Sequence, residues 1–192
     1  MKESLESLLI QDIPSPIIDT SFTSSIRIFR NLVRLELEVH CHEEGDNGQC
    51  AFKLDNDGAA ELAVALPQVE YLGLGRACSE NTCATTVACL LPILIHCPEL
   101  YALEIHFNTA NIVDDLRNIL EDPLLQGLDS LPRREHLLLE IWDIPLALDE
   151  SDYKTVAKGM ISIFPFLLIF ARLDGTRRAI SAEIQRLRRV DR

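Results

Sequence analysis

The side chains best suited to hold a metal are His40, Cys41, His42 and Cys50, two imidazoles and two thiols in one short stretch. Zinc frames pair their ligands roughly two to four residues apart at both ends of the site, and this spacing fits none of them. Glu43-Glu44-Gly45-Asp46-Asn47-Gly48, between them, reads as a solvated loop joining a strand to a helix. Cys78 and Cys83 have no second His or Cys pair to complete a site. Cys89 and Cys97 are expected as buried thiols in a reduced chain. Gly73-Leu74-Gly75-Arg76-Ala77-Cys78 imitates a dinucleotide loop, but Cys78 stands where the third glycine belongs. No ribose-binding acid follows about 20 residues later, so glycine here serves a chain turn. Neither a G-x-S-x-G elbow, a P-loop nor an H-E-x-x-H pair occurs. A nucleophile can be drawn from six cysteines and five histidines, yet nothing orients one. The expectation is a non-enzyme with no catalytic residue, no cofactor and no resident metal. Its competitors are a cysteine–histidine hydrolase or redox enzyme, and a module stabilised by metal at His40, Cys41, His42 and Cys50.

The elements around these residues repeat. Phe29-Arg-Asn-Leu32-Val-Arg-Leu35-Glu-Leu37-Glu-Val39 returns as Pro67-Gln-Val69-Glu-Tyr-Leu72-Gly-Leu74 and as Pro98-Glu-Leu100-Tyr-Ala-Leu103-Glu-Ile105-His-Phe107. A weaker copy, Pro132-Arg-Arg-Glu-His-Leu137-Leu-Leu139-Glu-Ile141, has Arg134 at the first leucine position, and Pro165-Phe-Leu167-Leu-Ile-Phe170 is the last. Anchors at 35, 72, 103, 137 and 170 are spaced by 37, 31, 34 and 33 residues. The intervals are too similar for chance, so a repeat architecture is expected. Helical periodicity fills the gaps: Ala59, Leu62, Ala63 and Leu66 after Asp55, and Ile112, Leu116, Ile119 and Leu120 after an Asn111/Asp114 capping box. Tyr153, Val156, Ala157, Met160, Ile161 and Phe164 form a third stripe after Ser151. Val87, Leu90, Leu91 and Leu94 form a fourth, which Pro92 should kink or shorten. Pro67, Pro98 and Pro165 end helices and set up the next strand.

Each unit is therefore a strand, a loop and a helix, stacked on its neighbours. A doubly wound sheet would show continuously apolar strands, whereas these carry Glu36, Glu38, Glu104 and Glu140 on alternate positions. The predicted fold class is α/β: a leucine-rich-repeat-like solenoid of about five irregular strand–loop–helix units. Its strands form one parallel face, with helices on the other side. Residues 1–192 form one repeat domain: an N-terminal cap over 1–21 with a helix over 2–11, repeats over 22–171, and a basic helical cap over 172–192. Ile180, Ile184 and Leu187 mark that last helix.

These anchors resemble leucine-rich repeats. More narrowly they are similar to the irregular repeats of fungal F-box-type proteins, over roughly residues 22–171. Matching signatures are Cys50-Ala-Phe52-Lys-Leu54, Leu62-Ala63 running through Leu66-Pro67 to Tyr71-Leu72-Gly73-Leu74-Gly75, His96-Cys97-Pro98-x-Leu100, and Ile163-Phe164-Pro165-x-Leu167. The resemblance implies the substrate-recognition part of a ubiquitin-ligase receptor. The F-box itself, opening on Leu-Pro-x-Glu, is not found; the Leu-Pro pairs at Leu66, Leu91 and Leu131 lie inside the repeats. Two expectations follow: a piece of a longer receptor, or a chain sharing only the recognition half.

Composition sets the remaining limits. An apolar share of 47% with 25% charged residues excludes disorder over most of the length. A net charge of −12 repels phosphate and disfavours nucleic acid. Residues 172–192 carry +4, leaving −16 on the first 171. The longest apolar stretches, 87–95 and 161–171, are about half the length of a membrane helix, and Glu3 and Glu6 oppose a secretory signal. A cytoplasmic or nuclear protein without membrane contact is expected. With leucines inward, Glu36, Glu38, Glu104, His106, Glu140 and Trp142 line a concave strand face together with Gly73, Gly75 and Leu138. That face is expected to bind another protein with a basic surface, Trp142 serving as an anchor.

Overall fold

The computed structural model describes residues 5–11, 18–38, 53–74, 84–106, 108–122, 137–142, 150–163, 167–169 and 175–190. The chain is α/β, built on a parallel sheet. Six strands pair in chain order: β1 (Ser7–Ile10), β2 (Arg34–Leu37), β3 (Tyr71–Leu74), β4 (Ala102–His106), β5 (Leu137–Trp142) and β6 (Leu167–Ile169). Parallel neighbours require a crossover, and helices supply it. These are α1 (Thr20–Ile26), α2 (Asn56–Ala65), a 3-10 turn (Val87–Cys89) running into α3 (Leu90–His96), α4 (Ile112–Glu121) and α5 (Glu150–Ile163). α6 (Gly175–Val190) follows the last strand and packs on α5. None of the described helices is long and apolar enough to cross a membrane.

The leucine alternation sets the register. Leu8, Leu35, Leu72, Leu103, Leu139 and Ile169 stand side by side, as do Ile10, Leu37, Leu74, Ile105 and Ile141. Leu35, Leu37, Leu72, Leu74, Leu103, Ile105 and Leu139 share one buried cluster with the helical Leu62, Ala63, Ile93, Leu116, Val156 and Met160. Each fully buried leucine contributes about 2 kcal/mol, so this layer between sheet and helices is the main source of stability. Cys89 and Cys97 lie in the same cluster as buried thiols outside any disulfide. A second column of extended chain enters the helices. The Lys53 amide donates to the Ile18 carbonyl (2.9 Å), the Asn108 amide to Thr85 (2.8 Å), and the Thr85 hydroxyl to the Leu54 carbonyl. The first three of these segments end in a helix cap: Asp19 for α1, Asp55 for α2 and Thr86 for the 3-10 turn.

Several expectations change. Residues Ser7–Ile10 are a strand, not part of a helix over 2–11. Leu8 and Ile10 extend the two leucine rows, and the Glu6 carbonyl accepts from the Val33 and Arg34 amides. Pairing with β2 thus outweighs local helix propensity. The fourth anchor is Leu139 rather than Leu137, a two-residue slip that keeps the same face. The fifth is Ile169 rather than Phe170, and a one-residue slip exchanges the faces. Asn111 makes no capping bond with its side chain, because its backbone (φ −118°, ψ 26°) is not the extended form a cap requires. Leu120, at the margin of its stripe, is 39% exposed. Pro92 is the third residue of α3, where its missing N–H falls in a first turn that needs no helical donor. Phe164, Pro165 and Phe170 lie outside the described residues, as do residues 2–4.

Candidate functional site

On the sheet face away from the leucine rows, two further rows run across the strands. One holds Ser7, Arg34, Tyr71, Ala102, Leu138 and Leu168; the other holds Leu9, Glu36, Gly73, Glu104 and Glu140. Arg34 and Glu36 share this face because they are two residues apart on β2. Arg34 Nη2 bonds Glu36 Oε2 at 2.7 Å, and its guanidinium lies 3.8 Å from the centre of the Tyr71 ring. The Tyr71 hydroxyl donates diagonally to Glu104 Oε1 on the next strand. Gly73 leaves room for this crossing: a Cβ there would stand 3.3 Å from both Glu36 Cγ and Tyr71 Cε1. The result is a chain of contacts, Glu36–Arg34–Tyr71–Glu104, across three adjacent strands.

Burial changes what the acids do. Glu36 is 4% and Glu104 8% exposed, where carboxylates standing in water are expected from the sequence. A buried carboxylate is costly unless paired, and Arg34 and Tyr71 supply the pairing. Burial, then the bond to Glu104, pushes the Tyr71 hydroxyl well above its ordinary 10, so it stays a neutral donor. The Glu36 bond raises Arg34 above its usual value. Arg34 keeps its outer side in water, with 44% of the side chain exposed. Tyr101, just before β4, is 51% exposed. Glu38 follows β2, its amide bonded to the Ile10 carbonyl (2.9 Å) and its carboxylate accepting from Gln11 Nε2 (2.6 Å).

The structure therefore brings Glu36 and Glu104 onto one face and ties Glu38 to the neighbouring edge. Glu140 pairs in register with Glu104, and Trp142 with His106; the side chains of Glu140, Trp142 and His106 lie outside the described residues. His40, Cys41, His42, Cys50, Gly75, Cys78 and Cys83 also lie outside them. Among the described residues no cluster of His, Cys, Asp or Glu could hold a metal ion. Arg34 and Tyr71 are the contributors that the sequence reasoning passes over. Their signal was the two-residue offset from Glu36 and Gly73, which places them on the acidic face once the register is known. In the comparisons with known proteins, no family model matches the chain and no curated protein matches it.

Proposed function

We propose that the chain is a leucine-rich-repeat-like solenoid that binds another protein on its open strand face and catalyses no reaction. The observation that carries this reading is the topology: parallel strands paired in chain order, each followed by a helix, with successive helical segments in contact and the 3-10 turn joining the third unit to α4. Such stacking gives a broad, rigid surface, and acidic side chains along it favour a basic partner through steering. The resemblance to F-box-type repeats adds a context, substrate recognition for a ubiquitin ligase in the cytoplasm or nucleus. Burial of Glu36 and Glu104 narrows which acids meet that partner. Reversing the buried, paired Glu36 or Glu104 would unfold the chain instead, so the test reverses the other two acids expected on this face, Glu38 and Glu140.

The test is quantitative crosslinking of the full chain in cell extract, comparing wild type with the Glu38→Lys/Glu140→Lys double variant. Loss of one set of basic partners, with the melting curve unchanged, is the expected result. An identical partner set would remove the strand face from consideration. The ubiquitin context has a separate readout, co-purification with a cullin-ligase adaptor. Its failure would leave a plain binding scaffold.

A further inference from the structure

The helical side offers a second surface that the strand-face reading does not use. α4 packs most closely on α5; toward the preceding unit it meets the 3-10 turn and only sparsely α3. The space left between α3 and α4 is a groove of about 330 Å³. Leu91, Pro92 and Ile95 make its α3 wall apolar, while Asp115, Asn118 and Asp122 make its α4 wall acidic. Asp115 is fixed in place. It accepts from the Thr86 hydroxyl, and Thr86 is clasped by Asn56 through two bonds, Thr86 N to Oδ1 (2.8 Å) and Nδ2 to Thr86 Oγ1 (3.1 Å). Partial burial raises the Asp115 carboxyl above its ordinary range. A cation entering the groove would relieve that cost.

We propose that this groove docks a peptide segment of a partner protein carrying one large apolar side chain flanked by lysines or arginines. Ligand sites run from about 300 to 1,000 Å³, so this one holds an apolar side chain rather than a nucleotide cofactor. Charge selects the flanks. Asp115 and Asp122 project toward the groove from α4, and exposed His96 is the basic side chain among its lining residues. The −12 net charge adds long-range attraction for a basic segment and repels an acidic one. Asp115 of α4 and Asp122, just past its end, stand seven positions and ~10 Å apart, and two lysines flanking one residue of an extended peptide share a face ~7 Å apart, a difference their long side chains cover. A Lys-Leu-Lys core therefore reaches both carboxylates from one face while its leucine, on the opposite face, meets the α3 wall.

The probe is a capped Ser-Lys-Leu-Lys-Ser peptide titrated into the isotopically labelled full chain and followed by amide shifts. Saturable shifts centred on Leu91, Ile95, Asn118 and Asp122 are expected. Asp122→Asn, an edge change that leaves the Thr86–Asp115 bond intact, should weaken binding about fivefold, the worth of one partly exposed charge pair. Replacing the peptide leucine by serine should abolish saturation. Equal binding of a peptide with glutamates for lysines would overturn the proposal, as would absence of saturation at millimolar concentration. Shifts confined to the strand face would overturn it too, while leaving the strand-face reading standing. Because the two surfaces report through different amides, failure of one is distinguishable from failure of the other.

Discussion

At Tyr71 a single hydroxyl holds a buried carboxylate on the neighbouring strand, and a single arginine holds both the ring and Glu36. Tyr71→Phe keeps the ring and removes the donor, so Glu104 loses a partner in a buried layer. The expected cost at neutral pH is about 1–3 kcal/mol, read from urea midpoints. The hydroxyl's pKa rises on folding, so its contribution is whole below the ordinary value of 10 and is lost as pH climbs above it. The difference between variant and wild type should therefore shrink near about pH 11, where an unfolded tyrosine is ionised. A variant as stable as wild type at neutral pH would mean that Tyr71 acts by packing alone. Sequence reasoning placed the glutamates on the correct face but in water. What buries them is cross-strand, and Arg34 and Tyr71 lie on different strands from Glu104.

The helices are stabilised at their ends and spaced by small residues. Asp55 caps α2 by accepting from the Gly58 amide at 2.8 Å, and Asp55→Ala should cost about 1 kcal/mol in thermal or chemical unfolding. Gly159 on α5 faces Leu116 of α4: an added Cβ would sit 3.1 to 3.3 Å from three of its carbons. Gly159→Val should destabilise by about 1–3 kcal/mol through overpacking, against any gain from rigidifying the chain. An unchanged midpoint would show that α4 and α5 slide apart freely. Periodicity made α2, α4, α5 and α6 legible, because each buries a stripe of apolar residues at helical spacing. α1 carries no such stripe: five of its seven residues, Thr20–Ile26, have hydroxyl side chains, and its start is held by Asp19. β1 was misread as helix because a short apolar run fits either period, and only pairing with β2 distinguishes them.

Across the molecule, each strand leans on its sequence neighbours, so the two ends are supported from one side only. Amide exchange should be slowest in Tyr71–Leu74 and Ala102–His106 and faster in Ser7–Ile10 and Leu167–Ile169. Leu72→Ala should cost about 2–5 kcal/mol, and Leu8→Ala, which is only partly buried, clearly less. Uniform protection from β1 to β6 would contradict a stack of this kind.

Length, apolar anchors and prolines determined by themselves that the chain alternates strands with helices and that the leucines of β2, β3 and β4 face a common core. Those features are local: period two and period 3.6 are written along the chain, and a proline beyond the first turn interrupts a helix whatever its surroundings. Tertiary structure alone decided the true anchors of β5 and β6, the conversion of residues 7–10 into an edge strand, and the burial of Glu36 and Glu104. It also opened the groove between α3 and α4. Each depends on which residues meet across tens of positions, and the free energy of those meetings comes from pairing and packing that no single segment contains.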